Sequence, residues 1–148
     1  MTTSQHASLE RRLIKSAALL LLLALLTGFY ISAAAMKLID ADMNMALASH
    51  LNGLLGAFWL LGLAYSLRYC HGSEQQLSRV AALIIIANYS NWLITAIKAY
   101  VQVSAIAWIE GQWPNNLILV SLTLLVVFPA LGGSIGWVLA LFKAQPER

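Results

Sequence analysis

SAALLLLLALLTGFYISAAA, residues Ser16 to Ala35, is twenty residues long and carries no charge. At about 1.5 Å per helical residue it is long enough to cross the ~30 Å hydrocarbon layer of a bilayer once. Lys15 lies at its edge, where a long stem can carry the ammonium back to the interface. A cleaved signal peptide is the competing reading: Arg11, Arg12 and Lys15 would be its basic region and Ala33-Ala34-Ala35 its cleavage site. The apolar run exceeds the usual 7–15 or so residues of such a peptide, so a retained span is expected.

Three similar segments follow, from about Ala46 to Leu67, Val80 to Ile106 and Asn116 to Phe142. The 148-residue chain is 60% apolar and 10% charged, against roughly 25% charged in soluble domains. No strand-like alternation argues for a barrel. The expected fold is all-α: one membrane domain over residues 1–148, built as a bundle of four transmembrane helices. Residues 1–12 read as a short frayed tail, residues 36–45 as a loop, Arg68 to Arg79 as a polar loop, Ala107 to Asn115 as another loop and residues 143–148 as a tail. Trp108 and Trp113 suit an interfacial aromatic belt. A single cysteine, Cys70, excludes an internal disulfide and a cysteine-rich metal site. A net charge of +3 on so apolar a chain gives no footprint for nucleic acid.

Basic residues set the expected orientation. Arg11, Arg12, Lys15, Arg68, Arg79, Lys143 and Arg148 fall in the N-terminal segment, the middle loop and the C-terminal segment. The other two loops hold Lys37 against Asp40, Asp42 and Glu110. The positive-inside rule then places both termini in the cytoplasm, in a multi-pass protein of a bacterial-type inner membrane.

Two stretches break the apolar pattern. Ser49-His50-Leu51-Asn52-Gly53 opens the second segment, and Asn88-Tyr89-Ser90-Asn91-Trp92 interrupts the third. Asn88, Asn91, Thr95, Lys98 and Gln102 fall within about 80° of arc on one helix, a polar stripe that must face other helices, a cavity or a partner. Hydrogen-bonded packing between helices explains any one of these residues; the whole stripe with a lysine in it points to a site. His50 shares its helical face with Gly53, Ala57 and Ala64, small residues that let a flat group or a backbone approach, while Asn52 lies about 200° away and faces elsewhere. His50 lies ~6 Å inside its span and Lys98 ~12 Å inside its own, both in the outer half of the membrane. A lone intramembrane histidine serves packing or ligates haem iron; His6 and His71 lie in a tail and a loop, so iron would have one protein ligand and one open position. Pro129 is expected to kink the fourth segment by freeing the Leu125 carbonyl, and Gly132 with Gly136 to make a close-packing ridge.

At these residues the chain resembles the hydroxylaminobenzene mutase family of small four-span membrane proteins. The resemblance rests on Leu25-Leu26-Thr27-Gly28, on Ser49-His50-Leu51-x-Gly53 and on Tyr89-x-Asn91-Trp92-Leu93-x-Thr95, collinear over about residues 15–140. More distantly it resembles styrene oxide isomerase, a trimer that holds haem b between subunits on a histidine of the second span. The resemblance implies His50 as that ligand, Asn91 near the substrate and a homotrimer. It departs at Gly56, where both families tend to carry Asn, at Asn52, where the mutases tend to be acidic, and at Ala87 and Thr95, where the isomerase has an acid and a tyrosine.

The expected function is a membrane isomerase or mutase that rearranges a small lipophilic aromatic, an arylhydroxylamine to an aminophenol or an epoxide to an aldehyde. Haem b iron on His50 would act as Lewis acid. Asn91, Asn88 and Tyr89 are the candidate catalytic residues; Gly53, Ala57 and Lys98, the last toward a haem propionate, are candidates beside His50 for the cofactor. A non-catalytic haem- or quinone-binding subunit, or a small transporter or scaffold, are the alternatives.

Overall fold

The structure is a computed structural model and describes residues 3–143. Its helices are α1 (Thr3–Ala35), α2 (Met43–Ser66), α3 (Glu74–Val101), α4 (Trp113–Leu122) and α5 (Phe128–Phe142). A 3-10 turn, Leu67–Tyr69, prolongs α2, and a π turn, Thr123–Val127, joins α4 to α5. The result is four helices long and apolar enough to cross a membrane, with the fourth crossing Trp113–Phe142 built from α4, the π turn and α5. Among the described residues there is no strand. α1 packs along α2, α3 touches α1, α2 and the fourth crossing, and the broad apolar outer faces of all four are left for lipid or other chains.

The frayed tail expected over residues 1–12 is instead helix from Thr3 onward, residues 1 and 2 lying outside the described residues. Leu9, Leu13, Ala17, Leu20 and Ala24 recur every three or four residues and are all buried, so the stripe that holds α1 to the bundle begins well before the uncharged segment. Leu9 and Leu13 pack in one cluster with Leu67, Cys70 and Leu77. α2 starts on Asp42, whose side chain accepts from the Met45 N–H at 3.0 Å, and whose own N–H donates to the Ala99 carbonyl at 2.9 Å. One residue thus caps α2 and ties it to the end of α3. Ser73 caps α3 in the same way through the Gln76 N–H, and Glu74 in the first turn suits the positive end of the helix dipole.

α3 stops at Val101, five residues short of the expected Ile106. Gln102 is left-handed, with φ of 53°, and its amide donates to Asp40 at 2.8 Å, which holds the chain in a turn that an αL residue must otherwise pay for. The following loop is organised from α4. Asn115 accepts from the Ala105 N–H and donates to the Ala107 carbonyl, both at 2.8 Å, while Asn116 pairs with both the N–H and the carbonyl of Ile109. Both asparagines are buried, and their loop partners are backbone groups that no helix satisfies.

At Pro129 the fourth crossing widens. The Phe128 N–H reaches back to the Thr123 carbonyl, five residues away, in the π turn that precedes the proline. Tight packing falls on Gly133 and Gly136: a Cβ at either would lie 2.6 Å from a side-chain atom of Ile84 or Val80 of α3. Gly132, expected to share that ridge, is exposed and has only Leu83 near it, at 3.7 Å. The ridge therefore joins two helices of one chain.

Four crossings return the chain to the end where α1 begins. There the His71 N–H donates to the Ala140 carbonyl at 2.7 Å, and Cys70 is buried, which pushes its thiol pKa up. Arg11, Arg12, Lys15, Arg68, Arg79 and Lys143 are exposed at this end. Arg68 lies 4.1 Å over the Tyr65 ring. Arg148 of the expected basic set lies outside the described residues.

Candidate functional site

The polar residues of α2 and α3 meet in the middle of the bundle, and they fall into two groups on opposite edges of α2. Between the edges runs a sealed face: Ser49, Gly53 and Gly56 are buried. Ser49 Oγ donates to the Trp92 carbonyl at 2.9 Å. The Trp92 indole N–H donates to Thr27 Oγ at 2.9 Å, and Thr27 in turn donates to the Leu23 carbonyl of its own helix. This chain of bonds sets α1, α2 and α3 at one level, and it fixes the indole against Gly53.

His50 lies on the α1 edge. Its Nδ1 is 2.6 Å from the Ala24 carbonyl. A carbonyl only accepts, so Nδ1 carries the proton and Nε2 presents its lone pair. His50 is half-buried and its Nε2 is not among the sealed, unpaired polar atoms of the described residues, so that nitrogen is not closed off inside the chain. That is the state in which an imidazole binds a metal, with the other ring nitrogen held to set tautomer and orientation. Among the described residues no three His, Cys, Asp or Glu side chains gather, so protein side chains alone form no metal cage there. A macrocycle that brings four nitrogen ligands of its own needs only the one imidazole. The residues present fit haem on that count.

The close approach that Gly53 permits is filled from within. A Cβ there would lie 2.7 Å from Ala24 Cβ and 2.9 Å from Trp92 Cδ1. Ala57, 1% exposed, and Ala64 also pack in the core. The small residues on the His50 face therefore admit α1 and an indole, and so let Ala24 reach His50.

Asn52 lies on the α3 edge. Its Nδ2 donates to Asn91 Oδ1 at 3.3 Å and to Thr95 Oγ at 3.2 Å. The α3 stripe thus faces α2. Asn88, 6% exposed, donates to the Ile84 carbonyl and sets its Oδ1 2.7 Å from where a Gly56 Cβ would be. Position 56, where the resemblance leads one to expect Asn, is filled instead from across the interface. Tyr89 turns the other way, its hydroxyl donating to the Ser16 carbonyl of α1 at 2.8 Å. Asn88, Tyr89 and Asn91 therefore do not share one surface.

Lys98 is separate again. With α3 ending at Val101, it lies one turn from the helix end and about 9 Å along the axis from Trp92, whose carbonyl marks the level of Ser49. It lines an open cavity of about 280 Å³ with Asp42, Gln102 and Ser104. His50, seven residues into α2, is roughly 10 Å below that helix start. The depths expected from the sequence, ~6 Å for His50 and ~12 Å for Lys98, are reversed in order, because α2 begins three residues earlier and α3 ends five residues earlier than read.

Asn52 is the residue that sequence reasoning assigned away from the site. The 200° that separates it from His50 holds; what it faces is α3. A partner for Asn91 and Thr95 at membrane depth was the available signal, since such groups rarely stay unpaired in lipid.

The fold is a bundle of four membrane-compatible crossings, with a tautomer-set histidine on one edge of α2 and a polar seam between α2 and α3. The model of the styrene oxide isomerase family matches residues 9–143, and the chain belongs to that family. It is also similar to hydroxylaminobenzene mutase HabB of Ectopseudomonas oleovorans, at 35% identity over 101 residues, 67% of this chain and 57% of the relative. The aligned part thus spans little more than half of that relative's length. No solved structure matches.

Proposed function

We propose that the protein is a membrane isomerase that rearranges a small lipophilic aromatic within one molecule, from arylhydroxylamine to aminophenol or from aryl epoxide to aldehyde. The observation that carries this reading is the His50 imidazole, with Nδ1–H held by the Ala24 carbonyl and Nε2 neither bonded nor sealed within the described chain. Family membership and the similarity to a mutase support it. In the arylhydroxylamine case the N–O bond breaks, a ring C–O bond forms and a ring proton is replaced by one on nitrogen; nothing is oxidised or reduced overall.

His50 would hold haem b, which when bound supplies a Lewis acid toward the oxygen of the breaking bond. Ala24 keeps His50 in the coordinating tautomer. Asn91 positions the substrate through its carboxamide, and the lipid-facing surroundings exclude water that would divert a cationic intermediate. Lys98, at the acidic-rich outer end, is the cation available to a carboxylate there.

His50 and Asn91 open on opposite edges of α2, so both reach one ligand only when neighbouring chains present different edges to each other. A cyclic assembly does this at every interface. On this reading the protein is a homotrimer with haem between subunits, as the resemblance implies, and the positive-inside rule supports both termini in the cytoplasm, in a bacterial-type inner membrane.

Complementation tests this. His50→Ala and Asn91→Leu chains should each be inactive on phenylhydroxylamine. Co-expressed, they should recover about a quarter of wild-type activity, since about one interface in four then joins an intact His50 to an intact Asn91. Two variants that stay inactive together would overturn the shared site; an inactive wild type would overturn the isomerase reading.

A further inference from the structure

Asn52 and Asn91 together leave an unusual pair of groups open in the middle of the membrane. Asn52 lies nine residues into α2, roughly 14 Å from its start. Both hydrogens of its Nδ2 are used, one on Asn91 Oδ1 and one on Thr95 Oγ. Its own Oδ1 and the Nδ2 of Asn91 have no partner among the described residues, and neither is sealed in the interior. Two carboxamides bonded in this way always expose one carbonyl and one NH₂, whichever of them donates. A free acceptor and a free donor at this depth are costly unless something pairs with both.

We infer that Asn52 and Asn91 form one polar subsite, and that Asn52 makes this site select an N-hydroxylated aromatic amine over an aryl epoxide. This rests on the isomerase reading and deepens it. An arylhydroxylamine offers a donor and an acceptor on adjacent atoms: its O–H can donate to Asn52 Oδ1 while a lone pair accepts from Asn91 Nδ2. An epoxide oxygen only accepts. It can pair with Asn91, but it leaves the Asn52 carbonyl unpaired with no water at hand. Sites built on such pairs discriminate against the analogue that lacks one partner by about ten-fold or more. Thr95 has a positioning part, since it takes the second hydrogen of Asn52 Nδ2 and so directs Oδ1 outward.

The experiment uses the full chain in detergent. Values of kcat/KM are measured for phenylhydroxylamine and styrene oxide, and dissociation constants for benzaldoxime, which donates and accepts, and benzaldehyde, which only accepts. Asn52→Leu should lower the phenylhydroxylamine-to-styrene-oxide ratio by about ten-fold or more, chiefly through KM, and lower the preference for the oxime to a similar extent. Thr95→Val approaches the couple from the other helix, should a leucine at 52 disturb the seam; it removes the acceptor that directs Asn52 Oδ1 outward and should move both ratios in the same direction. Ratios unchanged in both variants would overturn the inference. If the wild type rearranges neither compound yet shows an oxime preference that depends on Asn52, the isomerase reading falls and the subsite stands. If it rearranges them and each variant weakens both substrates equally, the subsite falls and the isomerase reading stands.

Discussion

His50→Ala is expected to yield a folded protein that takes up no haem. The imidazole is half-buried at the edge of α2, and its one bond within the chain is to a carbonyl already engaged in α1, so its removal leaves no sealed unpaired group. An iron held by His50 would, by contrast, lose its only ligand from this helix. Outer partners of a ligating histidine already contribute about 10–100-fold to metal affinity, and the ligand itself contributes more. The purified, haem-supplied wild type should show a Soret band and the variant none, with unchanged helical circular dichroism. His71→Ala is the control: its backbone N–H binds Ala140 at the opposite end of the bundle, far from Ala24, and its band should persist. A full Soret band in His50→Ala would remove His50 as the ligand.

Gly53→Leu should damage both the bundle and the site. A single Cβ at 53 already comes within 2.7 Å of Ala24 Cβ, 2.9 Å of the Trp92 ring and 3.3 Å of Ala24 Cα. None of these neighbours yields easily: one is backbone of α1, and the indole is pinned by its bond to Thr27. Overpacking of this kind costs about 1–3 kcal/mol, and a leucine in a backbone crossing falls at the upper end, which would lower the melting temperature by roughly 10 °C. The only relief is for α1 to move away, which also draws the Ala24 carbonyl off His50 and weakens haem binding. Gly62→Leu, at an exposed glycine with nothing within 4 Å, should leave the melting temperature nearly unchanged. Equal behaviour of the two variants would contradict the packing described for Gly53.

The four crossings were legible because lipid imposes length and hydropathy on each of them, and these survive any error about neighbours. The helix ends were less so. Nothing in the hydropathy of Val103, Ala105 and Ile106 marks them as loop; the turn is held by Gln102 on Asp40 and by Asn115 and Asn116, contacts between residues distant in sequence or across a turn. The start of α1 was hidden by charge, since Arg11 and Arg12 flank the buried Leu13 without disturbing its stripe. Within the site, the helical angles of His50, Asn52 and of Asn88 to Lys98 hold for each helix alone, while Gln102 of the expected stripe lies beyond the end of α3 in a left-handed turn. An angle on one helix does not say which neighbour lies there. Gly53 illustrates this: its smallness read as room for a flat group or another backbone, and it is α1, at Ala24, with the Trp92 indole that takes the room. The bond that His50 Nδ1–H donates to Ala24, which sets the tautomer, ends on a backbone carbonyl and so leaves no trace in residue types.

The most direct test of the account is turnover of phenylhydroxylamine by the haem-supplied protein in water enriched in oxygen-18. An intramolecular isomerase should give aminophenol of unchanged mass, at a rate well above buffer and above the His50→Ala variant. No aminophenol beyond the buffer rate, or aminophenol carrying oxygen from the water, would contradict a rearrangement carried out within the substrate at this site.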